Sequence, residues 1–287
     1  MTRPRPGNVL KCALAGIAVA AAILLASCSV QPPAKQIAPT AQRPPVHRDR
    51  PAPAPAERQK PKVTTAEIAA PKPAQPTAHH WRRYGGYPGE VVRCLSSNKI
   101  ALTFDAGASP APTPSILKTL KSAGLHVTFF LTGKWCEKNP ELVKQIAADG
   151  HEIGNHTYSH PDLRKLGDDA IVEQLRKADD LITNLTGKSA KPLFRPPFGG
   201  RDKRVLAVAG EQGYRSVYWS LDSFDAYKKG ITSRQIEDRI LERIQGGDIV
   251  LMHCGSAATA AQLGDLISKL QQRGYQIVKV SDLTAGG

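Results

Sequence analysis

The sequence predicts an α/β fold, a (β/α) barrel with about seven parallel strands, and three observations carry that prediction. From residue 100 onward, strand-like and helix-like stretches alternate to the end of the chain. Each short apolar run is separated from the next by a helical stretch, the spacing of parallel βαβ units and not of hairpins. Asp105, His156, Arg195, Asp222 and His253 all fall at or just past the C-terminal end of a predicted strand. A barrel collects such ends on one rim, whereas an open sheet gathers only those beside its switch point, so the barrel is favoured.

The first strand, residues 100–104, is the run Ile-Ala-Leu-Thr-Phe, closed by Asp105 and then by small residues. A carboxylate at the end of a buried strand starts a turn, or is hydrated, paired or metal-bound. A helix at 112–123 leads to a strand at 127–131, and a helix at 140–149 leads to a strand at 152–155. Pro140 marks the start of that second helix and Asp149-Gly150 its end. The remaining helices fall at 168–185, 203–212, 233–245 and 258–273, the last closed by Arg273-Gly274. Between and after them lie strands at 193–195, 216–219, 249–253 and 276–280.

The first 80 residues read differently. Residues 1–11 are short and basic, with Arg3, Arg5 and Lys11, and an uncharged stretch rich in Ala, Ile and Leu runs to Ser27. That stretch is too short for a stable span, which needs about 20 apolar residues, so a secretory signal peptide is expected over 1–28. It ends in Leu25-Ala26-Ser27-Cys28, which resembles the lipobox of bacterial lipoproteins and implies lipidation of Cys28. Residues 29–80 hold 12 Pro and 11 Ala among 52 positions, too few large apolar side chains for a core. A disordered, partly polyproline-II tether is expected, reaching roughly 160 Å when extended. The folded domain is then residues 81–287.

Residues 1–80 carry 11 Lys and Arg against 3 acids, and the rest 28 against 22, so most of the net charge of +14 belongs to the N-terminal segments. With an export signal and no basic stripe interleaved with aromatics, nucleic acid is not the expected partner. Attraction to anionic lipid or acidic wall polymer is. Cys94, Cys136 and Cys254 remain in the exported domain without a CxxC. Cys94 sits before the first strand and Cys136 after the second, so a Cys94–Cys136 disulfide is one expectation and three unpaired thiols the other.

Four stretches carry chemistry. In His156-Thr-Tyr-Ser-His160 the spacing of four puts two imidazoles on one side of a helical turn, within reach of one cation, and such ligands suit zinc and other first-row divalent ions. Phe194-Arg195-Pro196-Pro197-Phe198 holds an Arg rigidly, ready to orient a carboxylate. Asp222 and Asp225 follow a strand, and either caps a turn or orients a histidine. His253 ends the strand Ile-Val-Leu-Met-His.

In this order, "TFDAG", "HTYSH", "RPPFGG", "DSFDA" and "LMH" resemble the five motifs of the polysaccharide deacetylases, the NodB-homology family of carbohydrate esterases, over residues 99–281. The resemblance implies a distorted (β/α) barrel, a NodB-like deformed TIM barrel. It implies metal-dependent hydrolysis of N-acetyl groups on an amino sugar within a polymer, or of O-acetyl esters. His156 and His160 are then metal ligands for zinc, or for cobalt or another first-row ion. Asp105 is the general base and Arg195 steadies it. His253 is the general acid, tuned by Asp222 or Asp225, and the main-chain N–H of Phe198 holds the oxyanion.

Two departures matter. The family's first motif normally has a second Asp, a third metal ligand, where this chain has Ala106; its fourth normally has Trp where this chain has Ala226. Ala106 implies a loosened two-histidine metal site, Asp105 moving onto the metal, a substitute carboxylate, or a domain that only binds glycan. Export and a lipid anchor make peptidoglycan the expected substrate, acted on by a monomer held at the cell membrane and facing the wall or periplasm.

Overall fold

A computed structural model describes residues 86–285. The expected signal peptide, Cys28 and the tether lie outside the described residues. Eight strands are present: β1 (Lys99–Ala106), β2 (Thr128–Leu131), β3 (Glu152–Asn155), β4 (Leu193–Phe194), β5 (Arg215–Ser216), β6 (Leu221–Asp222), β7 (Ile249–His253) and β8 (Gln276–Ile277). The helices are α1 (Thr113–Ser122), α2 (Gly133–Lys138), α3 (Pro140–Ala148), α4 (Asp168–Thr186), α5 (Lys203–Glu211), α6 (Ser233–Arg243), α7 (Ala257–Gln272) and α8 (Val280–Thr284).

All strand pairs are parallel, in the order β5-β4-β3-β2-β1-β7-β6, with β8 pairing the start of β1. No ladder joins β5 to β6 among the described residues, so the sheet curls into a half-barrel with one open seam. The entering chain crosses that seam. Val91 bridges Val217 beside β5, and Cys94 N–H donates to the Gly247 carbonyl just before β7. Gly247 is left-handed (φ 85°), and any Cβ there would strike the Cys94 backbone, so the seam closes only over a glycine.

Alternation along β1 divides the interior. Ile100, Leu102, Phe104 and Ala106 face the helices and pack with Ile116, Leu117 and Leu120 of α1 and Leu263 and Leu266 of α7. Ala101 faces the other way, toward Phe130, Val217, Ile249 and Val280. Thr103 and Asp105 share that inner face and are buried polar groups needing partners. Phe104 is fully buried and stacks on Phe129 at 5.3 Å, so Phe104→Ala should cost about 3–5 kcal/mol.

Several expectations are corrected. The predicted strand 216–219 overlaps β5 only at Ser216 and continues as a single bridge at Val217, because at the seam Tyr218 N–H donates to Val91 O and not to a neighbouring strand; β6 (Leu221–Asp222) lies beyond it and was not predicted. The predicted strand 276–280 stops at Ile277, and Val280 begins α8. Helix α2 lies within a stretch left without an element; Thr132 Oγ1 caps it by accepting from Trp135 N–H. The expected Cys94–Cys136 disulfide is absent, and Cys94, Cys136 and Cys254 are buried free thiols. β1 and β2 are parallel, so a residue before one and a residue after the other lie at opposite ends of the sheet. Among the described residues no helix is long and apolar enough to cross a membrane.

Candidate active site

The C-terminal ends of the strands open into a cavity of about 680 Å³ lined by Asp105, His156, His160, Phe198, Asp222, Asp225 and His253. Among the described residues, every site residue expected from the sequence thus reaches one cavity except Arg195, which is fully buried behind Asp105.

Arg195 follows β4 and points inward. Its Nη1 donates to Asp105 Oδ1 at 2.7 Å and to Thr103 Oγ1 at 2.9 Å, its Nε to Val217 O, and its Nη2 to Tyr218 O. The guanidinium lies 4.1 Å over the Phe130 ring. That ring has room because its register partner is Gly154, where a Cβ would come within 2.5 Å of it. Burial would raise the Asp105 carboxyl, but the charge of Arg195, followed by that of His253 and the Arg195 hydrogen bond, outweighs it and holds Asp105 below the usual carboxylate range. Asp105 is therefore ionised, with Oδ1 committed to Arg195 and Oδ2 turned toward His156.

His156 follows β3. Its Nδ1 lies 2.8 Å from the Arg195 carbonyl, an acceptor, so Nδ1 carries the hydrogen. Burial pushes the ring below the usual histidine value, keeping it neutral, with a lone pair on Nε2. That lone pair faces Asp105 Oδ2 at 3.5 Å. Two acceptors confronting each other across that gap are what a cation relieves, and an imidazole fixed through its far nitrogen by a carbonyl is oriented as metal ligands are. The His160 ring lies 4.8 Å from His156, centroid to centroid, and 4.4 Å from Phe198. Burial and His156 push His160 down to about 4. The donor set so far fits a divalent ion through two imidazoles. Among the described residues no group of three or more His, Cys, Asp or Glu is arranged to hold one.

The pair is not held by a helical turn as its spacing predicted. Thr157 (φ 66°) and His160 (φ 61°) are both left-handed, and the loop is pinned by Asn155 Oδ1 accepting from Thr157 N–H and Thr157 Oγ1 accepting from His160 N–H. Ala106, the departure in the first motif, is 1% exposed among the apolar side chains facing the helices and does not line the cavity.

His253 ends β7 as the register partner of Asp105. Of the two aspartates left open by the sequence, Asp225 contacts it: Oδ1 lies 2.7 Å from His253 Nδ1, and Oδ2 accepts from His253 N–H at 2.9 Å. Burial works against the charged ring, but the hydrogen bond and charge of Asp225, followed by the charge of Asp105, raise His253 above its ordinary value. Asp222 instead accepts from Phe224 N–H and from the Tyr227 hydroxyl. Phe198 (φ 57°) sits in a tight left-handed turn at the rim.

Sequence reasoning missed Thr103, which supports Arg195 while donating to Val250 O at 2.6 Å. Its signal was available: a hydroxyl two residues before Asp105 in an apolar run falls on the same face. Tyr227, beside the unusual Ala226, was also missed; its ring occupies the cavity's edge.

A neutral imidazole pair, a carboxylate held ionised and an imidazole whose affinity for its proton is raised, gathered at the mouth of a curled (β/α) barrel, define a hydrolytic site. The polysaccharide deacetylase family pattern matches residues 93–217. A peptidoglycan-N-acetylglucosamine deacetylase of Bacillus cereus is 36% identical over 64% of this chain and 68% of its own. Bacillus subtilis PdaA, a peptidoglycan-N-acetylmuramic acid deacetylase, is 34% identical over 64% of this chain and 70% of its own. The PdaA structure, described as a family 4 carbohydrate esterase, superposes with TM-score 0.66 over 69% of this chain and 86% of that one at 31% identity. BA3943 of Bacillus anthracis, described as a family 4 pseudoenzyme, superposes with TM-score 0.65 over 69% of each chain at 30% identity. The chain belongs to the polysaccharide deacetylase family, carbohydrate esterase family 4. It is thereby placed among hydrolases of carbon–nitrogen bonds other than peptide bonds.

Proposed function

We propose that the chain removes N-acetyl groups from an amino sugar of an envelope polysaccharide, peptidoglycan, using a divalent metal ion, zinc, bound by His156 and His160. The observation that carries this reading is the opposed charge of Asp105 and His253 at the ends of neighbouring strands: a base and an acid facing one cavity. Asp105 Oδ2 takes the proton of the attacking water, while Oδ1 stays on Arg195. The Phe198 main-chain N–H steadies the developing oxyanion. His253, charged through Asp225, gives its Nε2 proton to the leaving amine as the carbon–nitrogen bond breaks and acetate departs. A bound metal supplies Lewis acidity that activates water and polarises the amide carbonyl.

Two features support a sugar polymer. Phe198 is 72% exposed and Tyr227 63% exposed, and both flank the cavity, where aromatic faces suit the apolar faces of pyranose rings. The B. cereus and B. subtilis relatives are named for peptidoglycan deacetylation. The signal-like segment, Cys28 and the Pro/Ala-rich tether support a protein exported and lipid-anchored at the membrane, reaching outward to the wall.

Ala106 and the likeness to a pseudoenzyme favour a second reading, a glycan-binding domain without turnover. A mutant of that pseudoenzyme is described as having restored enzymatic activity. The test is incubation of the full chain with peptidoglycan, with zinc or cobalt added or chelated, and mass spectrometry of the glycan. Loss of acetyl that stops with chelator and in Asp105→Asn supports the enzyme. Binding that is indifferent to chelator, with no acetyl lost, supports the second reading. O-acetylated glycan, run in parallel, tests esterase activity.

A further inference from the structure

We infer that Thr259 is a positioning residue for the proposed reaction, holding the Asp225 carboxylate in the single orientation that serves His253. The inference rests on the catalytic reading of His253 given above.

Asp225 is carried neither by a strand nor by a helix. It follows β6 in an irregular stretch where Phe224 is left-handed (φ 64°), so no ladder or helix sets the direction of its side chain. Its side chain is nevertheless completely buried. Three donors converge on it: His253 Nδ1 at 2.7 Å from Oδ1, and His253 N–H at 2.9 Å and Thr259 Oγ1 at 2.6 Å from Oδ2. Two of the three belong to the residue being oriented. Thr259 is the contact to Oδ2 from a separate, rigid element.

Thr259 is fully buried in the first turn of α7, and its own N–H is held by the Ser256 Oγ cap at 3.1 Å. A threonine serving only its helix returns its hydroxyl to a carbonyl one turn back. Thr259 instead sends its one proton to a carboxylate outside its helix. The hydroxyl thereby blocks rotation of Asp225 and ties a loop-borne carboxylate to the start of α7. The charged groups facing His253 are Asp225, Asp105 and Asp222, and the neutral, titratable rings of His156 and His160 lie across the cavity.

Thr259→Val keeps the shape and removes the donor. In the full chain we expect kcat to fall about tenfold with KM unchanged, the effect of one charge-assisted hydrogen bond, and Thr259→Ser to restore it. The His253 ring, followed by nitrogen NMR without substrate, should titrate at higher pH in Thr259→Val, because a carboxylate that loses a donor keeps more charge for the ring. Thr259→Ala serves if the valine variant does not fold. An unchanged kcat with an unmoved His253 titration overturns the inference, as does a serine variant as poor as valine. If the parent releases no acetate, the catalytic reading fails on its own, and the NMR titration still decides whether Thr259 governs Asp225.

Discussion

Asp105 and His253 are register partners on adjacent parallel strands, and their surroundings drive them to opposite charges. The Arg195 guanidinium overcomes burial to keep Asp105 ionised, and Asp225 overcomes burial to keep His253 protonated. A base and an acid that hold their states over the same pH range can act together, and it is the histidine, ordinarily mostly neutral at pH 7, that needs its surroundings to do so.

The rate profile should record this. kcat/KM should rise through a value below the ordinary aspartate range and fall through one above the ordinary histidine range. Asp225→Asn removes the hydrogen-bonded charge that raises His253, so the alkaline limb moves to lower pH and the rate drops about a hundredfold. Acetate release against pH checks both shifts; an alkaline limb that stays in place in Asp225→Asn contradicts the assignment of Asp225.

Arg195→Met leaves Asp105 buried without its countercharge, at a cost of about 3–5 kcal/mol in chemical denaturation. The pH dependence changes sign as well. In the parent, the Asp105 contribution is present above its unfolded value and is lost as pH falls through the lowered folded value. In the variant the unpaired carboxyl is raised, so acid stabilises it. Denaturation midpoints at several pH values below neutrality measure this, and parallel curves for the two proteins would contradict it.

Position 106 begins a side chain among apolar neighbours, so a carboxylate there is costly unless it reaches a cation. Ala106→Asp should melt below the parent in chelator and gain more from added zinc than the parent does. Thermal melts with and without metal check this. An equal zinc shift in both proteins would mean that position 106 does not reach the ion.

Zinc should raise the melting temperature of the parent, and His156→Ala or His160→Ala should abolish most of that rise, because each removes one of two imidazoles. Titration calorimetry gives the same comparison directly. Zinc affinity retained when His156→Ala and His160→Ala are combined would move the metal elsewhere.

The chemistry was more legible in the sequence than the sheet. Strands β1, β2 and β7 are largely apolar runs, visible because both faces are buried, while β3 (Glu152–Asn155) was placed by the helix end at Asp149-Gly150 before it. β4, β5, β6 and β8 are two-residue ladders, too short to carry a pattern of their own, and their pairing partners are remote in sequence, as where Val91 bridges Val217 beside β5. The histidine pair was legible as a pair, but its helical-turn geometry was not, since left-handed Thr157 and His160 depend on contacts with Asn155 and with the rings around them. The choice between Asp222 and Asp225 was hidden for a similar reason: left-handed Phe224 turns the chain between them. Cys94 and Cys136 stayed open between a disulfide and free thiols because strand adjacency without strand direction does not separate the two; the parallel pairing of β1 and β2 does.

The most direct measurement is acetate released from peptidoglycan by the zinc-loaded full chain, beside Asp105→Asn and His253→Ala. We expect steady release by the parent and a loss of about 10²–10⁴-fold in each variant. Release by either variant at the parent rate, or none by the parent at any metal concentration, would contradict it.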